Sequence, residues 1–582
     1  MNLTNSRYQR LAPYLIFLFI VTVFFATASV FPYRIEYDPV PQLKGINQWL
    51  SGVSNLINSV VAVNPKDISQ DIQTWIVWHA PGVTFAFLPL IALGLPLGIA
   101  VRTTAYFLFV SGGLGWIKVI DTLTSDPKLK IILAVLLSIY YIEIGSLLVC
   151  TAGDVIPWAV MPWVLLYAMY LCSILDSGNK FNSRLLIHSA LLGLLLGGVY
   201  WLKYSAFLVS LGILAYLAVF LGFFSKQYTL KNRFILLTVC TVFTLLPVMG
   251  LNAIHHSLSG FNSAVDQFKA AIPVASPSTR GIRLLLSLIA APGLGLFNSE
   301  IFTEGRLLTF TSKIVKQLFT LDISRKTETF KIVAGIAGTL AGFWFVADSA
   351  RKNIYNKKLI ILWGCVTSIP FILIAYISYK TGINLLMAGI GRYSNPFFIL
   401  TVLFVISSYL HTISNHEKSL LSKIVLSIVL VFFLLLPPLN YIADLTQAIM
   451  LRKNYVTTEN FLYVDILSKV NVKSVVSQIN SAVKSPKDVV VLTKDTDELR
   501  FGSWLQTKHR ILTLQIVDSE EAKIKITTSQ DLRVILVVSK ALEHNEKQLA
   551  LLKQRFAQST GWTRLPENPD AEVSIWFSDL KA

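Results

Sequence analysis

Apolar runs of membrane length, separated by short polar links, dominate the chain. A helix needs about 20 apolar residues to cross a bilayer, and eleven runs near that length recur. They fall near residues 11–31, 102–120, 129–150, 157–175, 185–202, 204–224, 234–251, 330–348, 359–378, 394–411 and 423–440. The pattern therefore predicts an α-helical polytopic membrane protein with about eleven transmembrane helices.

One further apolar run, 79–100, differs from the others because it contains Pro81, Pro89 and Pro96. Proline breaks or kinks a helix. The pattern predicts an interfacial or re-entrant segment, and on its own it leaves open whether the run crosses the membrane.

Short basic links orient the predicted spans. Three groups interrupt the apolar runs: Lys226, Lys231 and Arg233; Arg351, Lys352, Lys357 and Lys358; and Lys418 with Lys423. Cytoplasmic loops carry such an excess of Lys and Arg. Counting spans from these links predicts a plasma or inner membrane protein with a cytoplasmic N-terminus. Segments 32–101 and 252–329, and the residues after about 441, then lie outside, so run 79–100 cannot cross once.

The first outer segment, 32–101, carries a helical pattern between Lys44 and Val61. Its apolar residues recur at three- and four-residue steps: Ile46, Trp49, Leu50, Val53, Leu56, Ile57, Val60 and Val61. Asn47, Gln48, Asn55 and Asn58 fall on the other face. This pattern predicts an amphipathic helix on the membrane surface. The second outer segment, 252–329, contains three prolines and a moderately apolar stretch, and is a candidate lid.

The composition becomes that of a soluble domain from about residue 455, after a transmembrane domain that we assign to 1–441. Helical patterns fall near 459–484 and 543–557, and apolar runs typical of strands fall at Val489–Leu492, Ile511–Ile516, Val534–Val538 and Val573–Phe577. Alternating strands and helices predict a small extracytoplasmic α/β domain over 455–582. It contains no glycine-rich phosphate loop, so nothing in it indicates nucleotide binding.

Composition and charge agree with this assignment. The chain of 582 residues is 54% hydrophobic and only 14% charged, against about 25% charged in ordinary soluble domains. Its net charge of +18 does not indicate a nucleic-acid partner, because the basic residues lie mainly in the short links. Cys150, Cys172, Cys240 and Cys365 all lie in apolar stretches, which predicts buried thiols. The first apolar run is too long for a signal peptide, and we interpret it as an uncleaved span.

Three features that carry candidate chemistry fall on the predicted outer face. Glu36 and Asp38 follow the first span, His79-Ala80-Pro81 opens the proline-containing run, and Asp154 lies in the turn after the span 129–150. Carboxylates at the junction of a span and water are positioned to act at the membrane surface. The sequence thus predicts that these groups meet at one site.

The order of these motifs resembles that of the GT-C superfamily, the membrane glycosyltransferases that use polyprenyl-phosphate sugars and include mannosyltransferase-like and aminoarabinose-transferase-like enzymes. Further counterparts are Gly193 to Gly198 followed by Trp201-Leu202-Lys203-Tyr204, Ala291 to Phe297, and Gly391-Arg392-Tyr393-Ser394-Asn395-Pro396. The resemblance covers about residues 1–411. It implies a hexosyl or pentosyl transferase of GT-C type whose lipid-linked donor requires no nucleotide site.

The resemblance also implies roles for individual residues. Inverting transfer needs a base for the acceptor hydroxyl and groups that stabilise the leaving phosphate. Asp38 is the expected base and Glu36 its alternative, while Asp154 would orient the acceptor or share a divalent cation with Asp38. Whether a cation is used is left open. The expected contacts to the donor and its lipid phosphate come from His79, Lys203, Arg392 and Tyr393.

Simpler interpretations of the same residues remain. Glu36 and Asp38 fit loop residues neutralised by Arg34, Asp154 fits a helix N-cap, and Lys203 and Arg392 fit side chains that snorkel to the interface. His79 fits a structural residue better than a catalyst. Asp67 and Asp71 fit solvated loop residues, or a part of the acceptor site.

Glu143, inside the predicted span 129–150, is a carboxylate at a costly position. It fits either a proton path or a hydrogen bond to Tyr140 or Tyr141, and the lack of a matching buried basic residue favours the second. Two other functional classes stay open: a secondary transporter or lipid flippase, which predicts inverted repeats, and a non-catalytic assembly protein. The sequence does not identify the sugar, or whether the acceptor is a lipid, a glycan or a protein.

Overall fold

A computed structural model describes residues 3–28, 33–35, 40–77, 79–150, 155–177, 180–259, 357–381, 462–464, 472–493, 509–514, 525–567 and 573–582, with isolated positions between 289 and 407 and residue 496. Span 423–440 and most of spans 330–348 and 394–411 and of the candidate lid therefore lie outside the described residues. The total of eleven spans stays a prediction.

Long apolar helices make up the N-terminal part of the chain. They are α1 (Leu3–Ala28), α4 (Leu97–Leu123), α5 (Pro127–Cys150), α6 (Val155–Asp176), α7 (Ser183–Leu202), α8 (Ala206–Phe223), α9 (Leu230–Ser259) and α10 (Lys357–Thr381), with the shorter α2 (Val40–Leu50) and α3 (Gly82–Ala92) between α1 and α4. The side chains of α5 from residue 140 onward lie outside the described residues. Within the described residues, seven helices are long and apolar enough to span a membrane: α1, α4, α6, α7, α8, α9 and α10. This confirms the prediction of a multi-pass helical protein.

Contacts between neighbouring helices fix their relative directions. Phe17 of α1 packs on Gly113 of α4, while Phe25 packs on Phe109 with ring centroids 5.5 Å apart. Later residues of α1 therefore contact earlier residues of α4, so the two helices are antiparallel. Contacts of Gly112 with Trp158 and of Gly115 with Pro162 make α4 and α6 parallel in the same way.

The remaining helices continue this alternation. Gly193 meets Cys240 and Gly197 meets Thr244, so α7 and α9 are parallel. α8 is antiparallel to α10, because Gly212 lies against Cys365 and Phe220 lies beneath Lys358. As a result α1, α7 and α9 end, and α4, α6 and α8 begin, at one end of the bundle, which we call the loop end. The alternation agrees with the predicted order of spans, and its orientation in the cell stays a prediction.

The proline-containing run 79–100 does not form one element. α3 has 11 residues, or about 16 Å at 1.5 Å per residue, which is too short to cross a membrane. Its first residue, Gly82, packs on Leu202 at the end of α7, so α3 lies at the loop end. Gly94, with φ of 81°, lies in the turn between α3 and α4. The short α3 agrees with a segment that does not cross, which stays a prediction, and the last residues of the run belong to the next span.

The predicted surface helix from Lys44 to Val61 is correct only in its first half. α2 ends at Leu50, and Gly52 and Asn58 both adopt positive φ, which an α-helix does not accommodate. The chain then forms a hairpin of β2 (Ser59–Val63) and β3 (Asp71–Trp75). Asn58, predicted to face away from the apolar side, is fully buried.

The C-terminal domain is α/β, as predicted. Its sheet has the order β6 (Arg510–Leu514), β5 (Val489–Thr493), β7 (Leu532–Ser539), β9 (Val573–Leu580) and β8 (Thr563–Arg564). β6, β5 and β7 are parallel, and β9 is antiparallel to its neighbours. The helices α11 (Val472–Ala482), α12 (Lys540–Glu543) and α13 (Glu546–Gln554) accompany the sheet. The sequence missed β8, and placed helix where β4 (Leu462–Val464) pairs in parallel with β1 (Tyr33–Ile35).

The hairpin of the first loop packs on this C-terminal sheet. Val63 and Ile68 share one buried apolar cluster with Val491 and Leu536. The backbone N–H of Ile68 also donates to the carbonyl of Thr527 at 3.0 Å. The first loop and the C-terminal domain therefore lie on the same side of the membrane, as the counting of spans predicts. The exact domain boundaries at 441 and 455 stay predictions.

The cysteines follow the sequence prediction where their side chains are described. Cys172 and Cys240 are buried free thiols, and Cys365 is half-buried. The side chain of Cys150 lies outside the described residues. Among the described cysteines, therefore, none indicates redox or metal chemistry.

Candidate active site at the loop end of the bundle

The predicted site residues fall into two groups. Glu36, Asp38, Asp154, Arg392 and Tyr393 lie outside the described residues, so their proposed roles stay predictions. His79 and Lys203 are described, and both are half-buried. The chain on each side of the first acidic motif is also described, because β1 ends at residue 35 and α2 begins at residue 40.

A close backbone contact brings the His79 and Lys203 motifs together. A Cβ atom on Gly82 would lie 2.4 Å from the carbonyl oxygen of Leu202 and 2.6 Å from its Cα. Only glycine permits this approach, which joins the start of α3 to the end of α7. Two motifs about 120 residues apart therefore meet at the loop end. Lys203 itself ends α7, where its backbone N–H donates to the carbonyl of Val199.

Tyr204 makes a second contact between the same segments. Its hydroxyl donates to the carbonyl of Val77 at 3.1 Å and lies 3.1 Å from Nε2 of His255. A neutral hydroxyl has one hydrogen, which goes to the carbonyl, so Nε2 of His255 must be the donor in the second bond. Burial raises the pKa of Tyr204 above its usual range, which keeps the hydroxyl protonated.

Three uncharged side chains connect α2 to the start of α3. Nε2 of Gln42 donates to Oδ1 of Asn58 and to the carbonyl of Ala80, both at 2.9 Å. Oγ1 of Thr84 donates to the same Asn58 oxygen at 2.8 Å, and Nδ2 of Asn58 donates to the carbonyl of Ile76 at 3.1 Å. We call Gln42, Asn58 and Thr84 the amide network. It ties the helix after the acidic motif to the His79 motif.

Charged residues connect the hairpin to the C-terminal domain. Nη2 and Nε of Arg510 donate to Oδ1 of Asp71 at 2.7 and 3.0 Å, and the Asp67 carboxylate accepts from the backbone N–H of Ser529 at 3.2 Å. Asp67 and Asp71 are thus contacts between domains, which local sequence could not show because their partners lie more than 400 residues away. Lys44 lies near Asp71, and burial lowers the pKa of Lys44 to about 8 although the Asp71 charge opposes this change.

One buried cation was missed by the sequence analysis. Arg102 of α4 is only 7% exposed, and an ionisable residue inside a membrane bundle is costly enough to suggest a function. The end of α4 lies against the start of α5, the helix that carries Glu143, through the 2.8 Å contact of Asp121 with Lys130. The predicted hydrogen bond of Glu143 to Tyr140 or Tyr141 stays a prediction. The Glu143 side chain itself lies outside the described residues.

No group of three or more His, Cys, Asp or Glu in the described ranges could hold a metal ion. Asp38 and Asp154, the predicted cation ligands, fall outside those ranges. A requirement for a divalent cation therefore stays a prediction.

The described residues thus define a multi-span helical membrane protein with an α/β domain docked on its first loop. No protein-family model matches the chain, and no curated protein matches it. Among solved structures, it is similar to the crystal structure of ArnT from Cupriavidus metallidurans bound to undecaprenyl phosphate. The identity is 10% over 97% of each chain, with a TM-score of 0.40. A similarity at this level assigns neither a ligand nor an activity to this chain.

Proposed function

We propose that the protein is a GT-C-type glycosyltransferase that moves a sugar from a polyprenyl-phosphate donor to an acceptor at the loop end of the bundle. The observation that carries the proposal is the meeting of separate motifs. Gly82, directly after the His79 motif, contacts the end of α7 at Leu202, and Ala80 of the motif accepts from Gln42 of α2, the helix that directly follows Asp38-Pro39. Two motifs that resemble one family in their order along the chain, those of His79 and Lys203, therefore also lie together.

The proposed reaction needs one proton acceptor. Asp38, with Glu36 as the alternative, removes the proton of the acceptor hydroxyl as its oxygen attacks the anomeric carbon. The bond from that carbon to the phosphate oxygen breaks, and the anomeric configuration inverts. A partly desolvated carboxylate is a suitable base because loss of hydration raises its proton affinity.

The leaving group is the polyprenyl phosphate, which carries negative charge. Lys203 ends α7 at the loop end, where the phosphate of a membrane lipid lies, and cations at that level stabilise the departing anion. We assign Arg392 and Tyr393 to the same phosphate and His79 to the donor. Asp154 precedes α6, which also begins at the loop end, and would orient the acceptor or hold a divalent cation with Asp38.

The loop end faces the outside of the plasma or inner membrane in this proposal, with the N-terminus inside. Basic residues support the orientation, because Lys226 in the link after α8 and Lys231 and Arg233 in the first turn of α9 lie at the opposite end of the bundle. A reporter fused after Asp444 tests it, since a cytoplasmic signal would contradict the assignment.

A transfer assay tests the function. Membranes containing the protein are given radiolabelled polyprenyl-phosphate hexoses and pentoses, and label in endogenous acceptors is measured. We expect Asp38→Asn to reduce transfer by about 100-fold or more, because the loss of a general base typically removes a factor of 10² to 10⁴. Asp126→Asn is the matched control, since Asp126 lies between α4 and α5 at the opposite end of the bundle.

Two outcomes would contradict the proposal. Full transfer by both Asp38→Asn and Asp154→Asn would show that the site is elsewhere. Absence of transfer from every donor, together with no polyprenyl phosphate in the purified protein by mass spectrometry, would favour a transporter or an assembly protein.

A further inference from the structure

The amide network is unusual because it is completely buried yet made only of uncharged polar groups. Gln42, Asn58 and Thr84 each have no exposed surface, and they come from three separate segments of the chain. The carbonyls of Ala80 and Ile76 can only accept, so both amide groups must point their nitrogen atoms at them. The contacts therefore define one orientation for each side chain.

The network joins α2, the His79 motif and the start of α3, whose relative positions matter for the proposed reaction. Gln42 lies four residues after Asp38, in the first turn of α2. Ala80 is the centre of the His79-Ala80-Pro81 motif, and Thr84 lies in the first turn of α3. Asn58 is held at φ of 60°, a left-handed conformation that asparagine tolerates better than most residues.

Stability alone does not account for this arrangement. Oε1 of Gln42 is buried and has no hydrogen-bond partner in the structure, and such an acceptor destabilises a protein. An apolar cluster would fill the same space without that penalty, but its contacts would not be directional. Directional hydrogen bonds fix the position of α2 along its own axis as well as its distance from α3.

We propose that Gln42, Asn58 and Thr84 are positioning residues that hold α2, the helix that follows the acidic motif, in register with α3 and the end of α7. The inference rests on the proposed function, because it assigns these residues to the same site. They do not touch the reacting atoms. They act through α2, which follows the acidic motif, and through α3, which rests on Leu202.

The effect on rate follows from geometry. A displacement of about 1 Å in a catalytic group can reduce a rate by about 100-fold without changing the binding of the remote parts of a substrate. Loss of the network is therefore expected to lower kcat by a larger factor than it changes the KM for the lipid-linked donor.

The test compares Thr84→Val, which keeps the shape and removes the donor, with Thr84→Ser, which keeps the donor. Transfer from the radiolabelled polyprenyl-phosphate sugar is measured for both full-length proteins in membranes. We expect Thr84→Val to lose about 10-fold or more in kcat with a KM changed by less than about threefold, and Thr84→Ser to remain near the unchanged protein. Equal kcat in the two variants would overturn the inference.

A second readout is independent of transfer activity. Glu36→Cys is introduced into a chain whose four native cysteines are alanine, and its rate of reaction with a charged maleimide is measured. If the network fixes this segment, Thr84→Val changes the rate several-fold and Thr84→Ser does not. The same rate in both would contradict positioning, whereas absence of transfer in the unchanged protein would contradict only the proposed function.

Gln42→Met covers the case in which Thr84→Val fails to fold. Methionine keeps the length of the side chain and removes the two hydrogen bonds that Gln42 donates, to Asn58 and to Ala80. It also removes the buried Oε1 that has no partner. The inference predicts the same loss in kcat with little change in KM, and an unchanged kcat in Gln42→Met would overturn it.

Discussion

The first loop is held at two places, and the two contacts have different chemistry. Against α3 it is held by the amide network, whose three side chains are uncharged and fully buried. Against the C-terminal sheet it is held by buried apolar side chains such as Ile68 and by the ion pair of Asp71 with Arg510, in which the Asp71 side chain is 41% exposed.

The difference suggests what each contact contributes. Burial of apolar surface is non-directional and supplies most of the free energy of association, and an exposed ion pair adds only about 0–1 kcal/mol. A buried hydrogen bond is directional, and loss of one partner costs about 1–3 kcal/mol because the other is left unpaired. The contact with the domain therefore supplies affinity, whereas the contact with α3 fixes position.

The largest effect is expected from Gly82→Ala, which tests the contact between the loop and the bundle. Its Cβ would lie 2.4 Å from the Leu202 carbonyl oxygen and 2.8 Å from the carbonyl carbon. These are backbone atoms that cannot rotate away, so the loss of stability should exceed the usual overpacking range of about 1–3 kcal/mol. The measurement is the amount of monodisperse protein in detergent and its apparent Tm.

Gly198→Ala in α7 is the matched control, because no atom lies within 4 Å of the added Cβ. Alanine is favoured over glycine in a helix by about 1 kcal/mol, so this variant should be as stable as the unchanged protein or more so. Equal stability of Gly82→Ala and Gly198→Ala would show that α3 can move away from α7, and that the motifs are not held together by this contact.

A smaller effect is expected from Ile68→Ala, which tests the contact with the C-terminal domain. Ile68 is fully buried in the cluster that the hairpin shares with the sheet. Truncation of a buried isoleucine destabilises by about 2–5 kcal/mol, and we expect about 2–3 kcal/mol because a cavity at an interface can partly close. The hairpin should become more sensitive to limited proteolysis.

Ile72→Ala is the control on the same hairpin, since Ile72 is 41% exposed. If both substitutions raise the proteolysis rate equally, the docking does not depend on the buried cluster. If Ile68→Ala also lowers the kcat of transfer as strongly as Thr84→Val does, the proposed division between affinity and position is wrong.

Sequence alone predicted the elements whose pattern is local. The spans, the α/β character of the C-terminal domain and its strands from Val489 and Val534 follow from apolar periodicity, which is dictated by the surroundings of each side chain. Apolar periodicity could not show that the 44–61 pattern is helix only in its first half. Apolar spacing continues past Leu50, and only the positive φ of Gly52 and Asn58 shows that the helix has ended.

The candidate site was predictable as a set of motifs but not as a set of contacts. His79 and Lys203 were identified from sequence, whereas Gln42, Asn58 and Thr84 were not recognised as one network. Their hydrogen bonds cross up to 38 residues of chain, and an amide or hydroxyl in a loop has no pattern that reveals a buried partner. Arg102 was overlooked for a similar reason, since burial depends on packing between helices.

The smallest effect concerns Lys44, which lies between the two contacts. Burial lowers its pKa from 10.5 to about 8 in the folded protein, so the unfolded chain binds more protons between those values. Stability should therefore rise with pH across this window. A pKa difference of one between the folded and the unfolded chain changes the free energy of unfolding by about 1.4 kcal/mol. For a half-buried, solvent-screened side chain we expect a total of about 1–2 kcal/mol.

Lys44→Met should remove this rise, and the apparent Tm between about pH 8 and 10.5 is the measurement. Lys66→Met is the control, because Lys66 is exposed in the same hairpin region and its substitution should leave the slope unchanged. A slope that persists in Lys44→Met would mean that other groups cause the pH dependence. Lys44 would then keep its charge in the folded protein across this window, and the Asp71 charge would offset the cost of its burial.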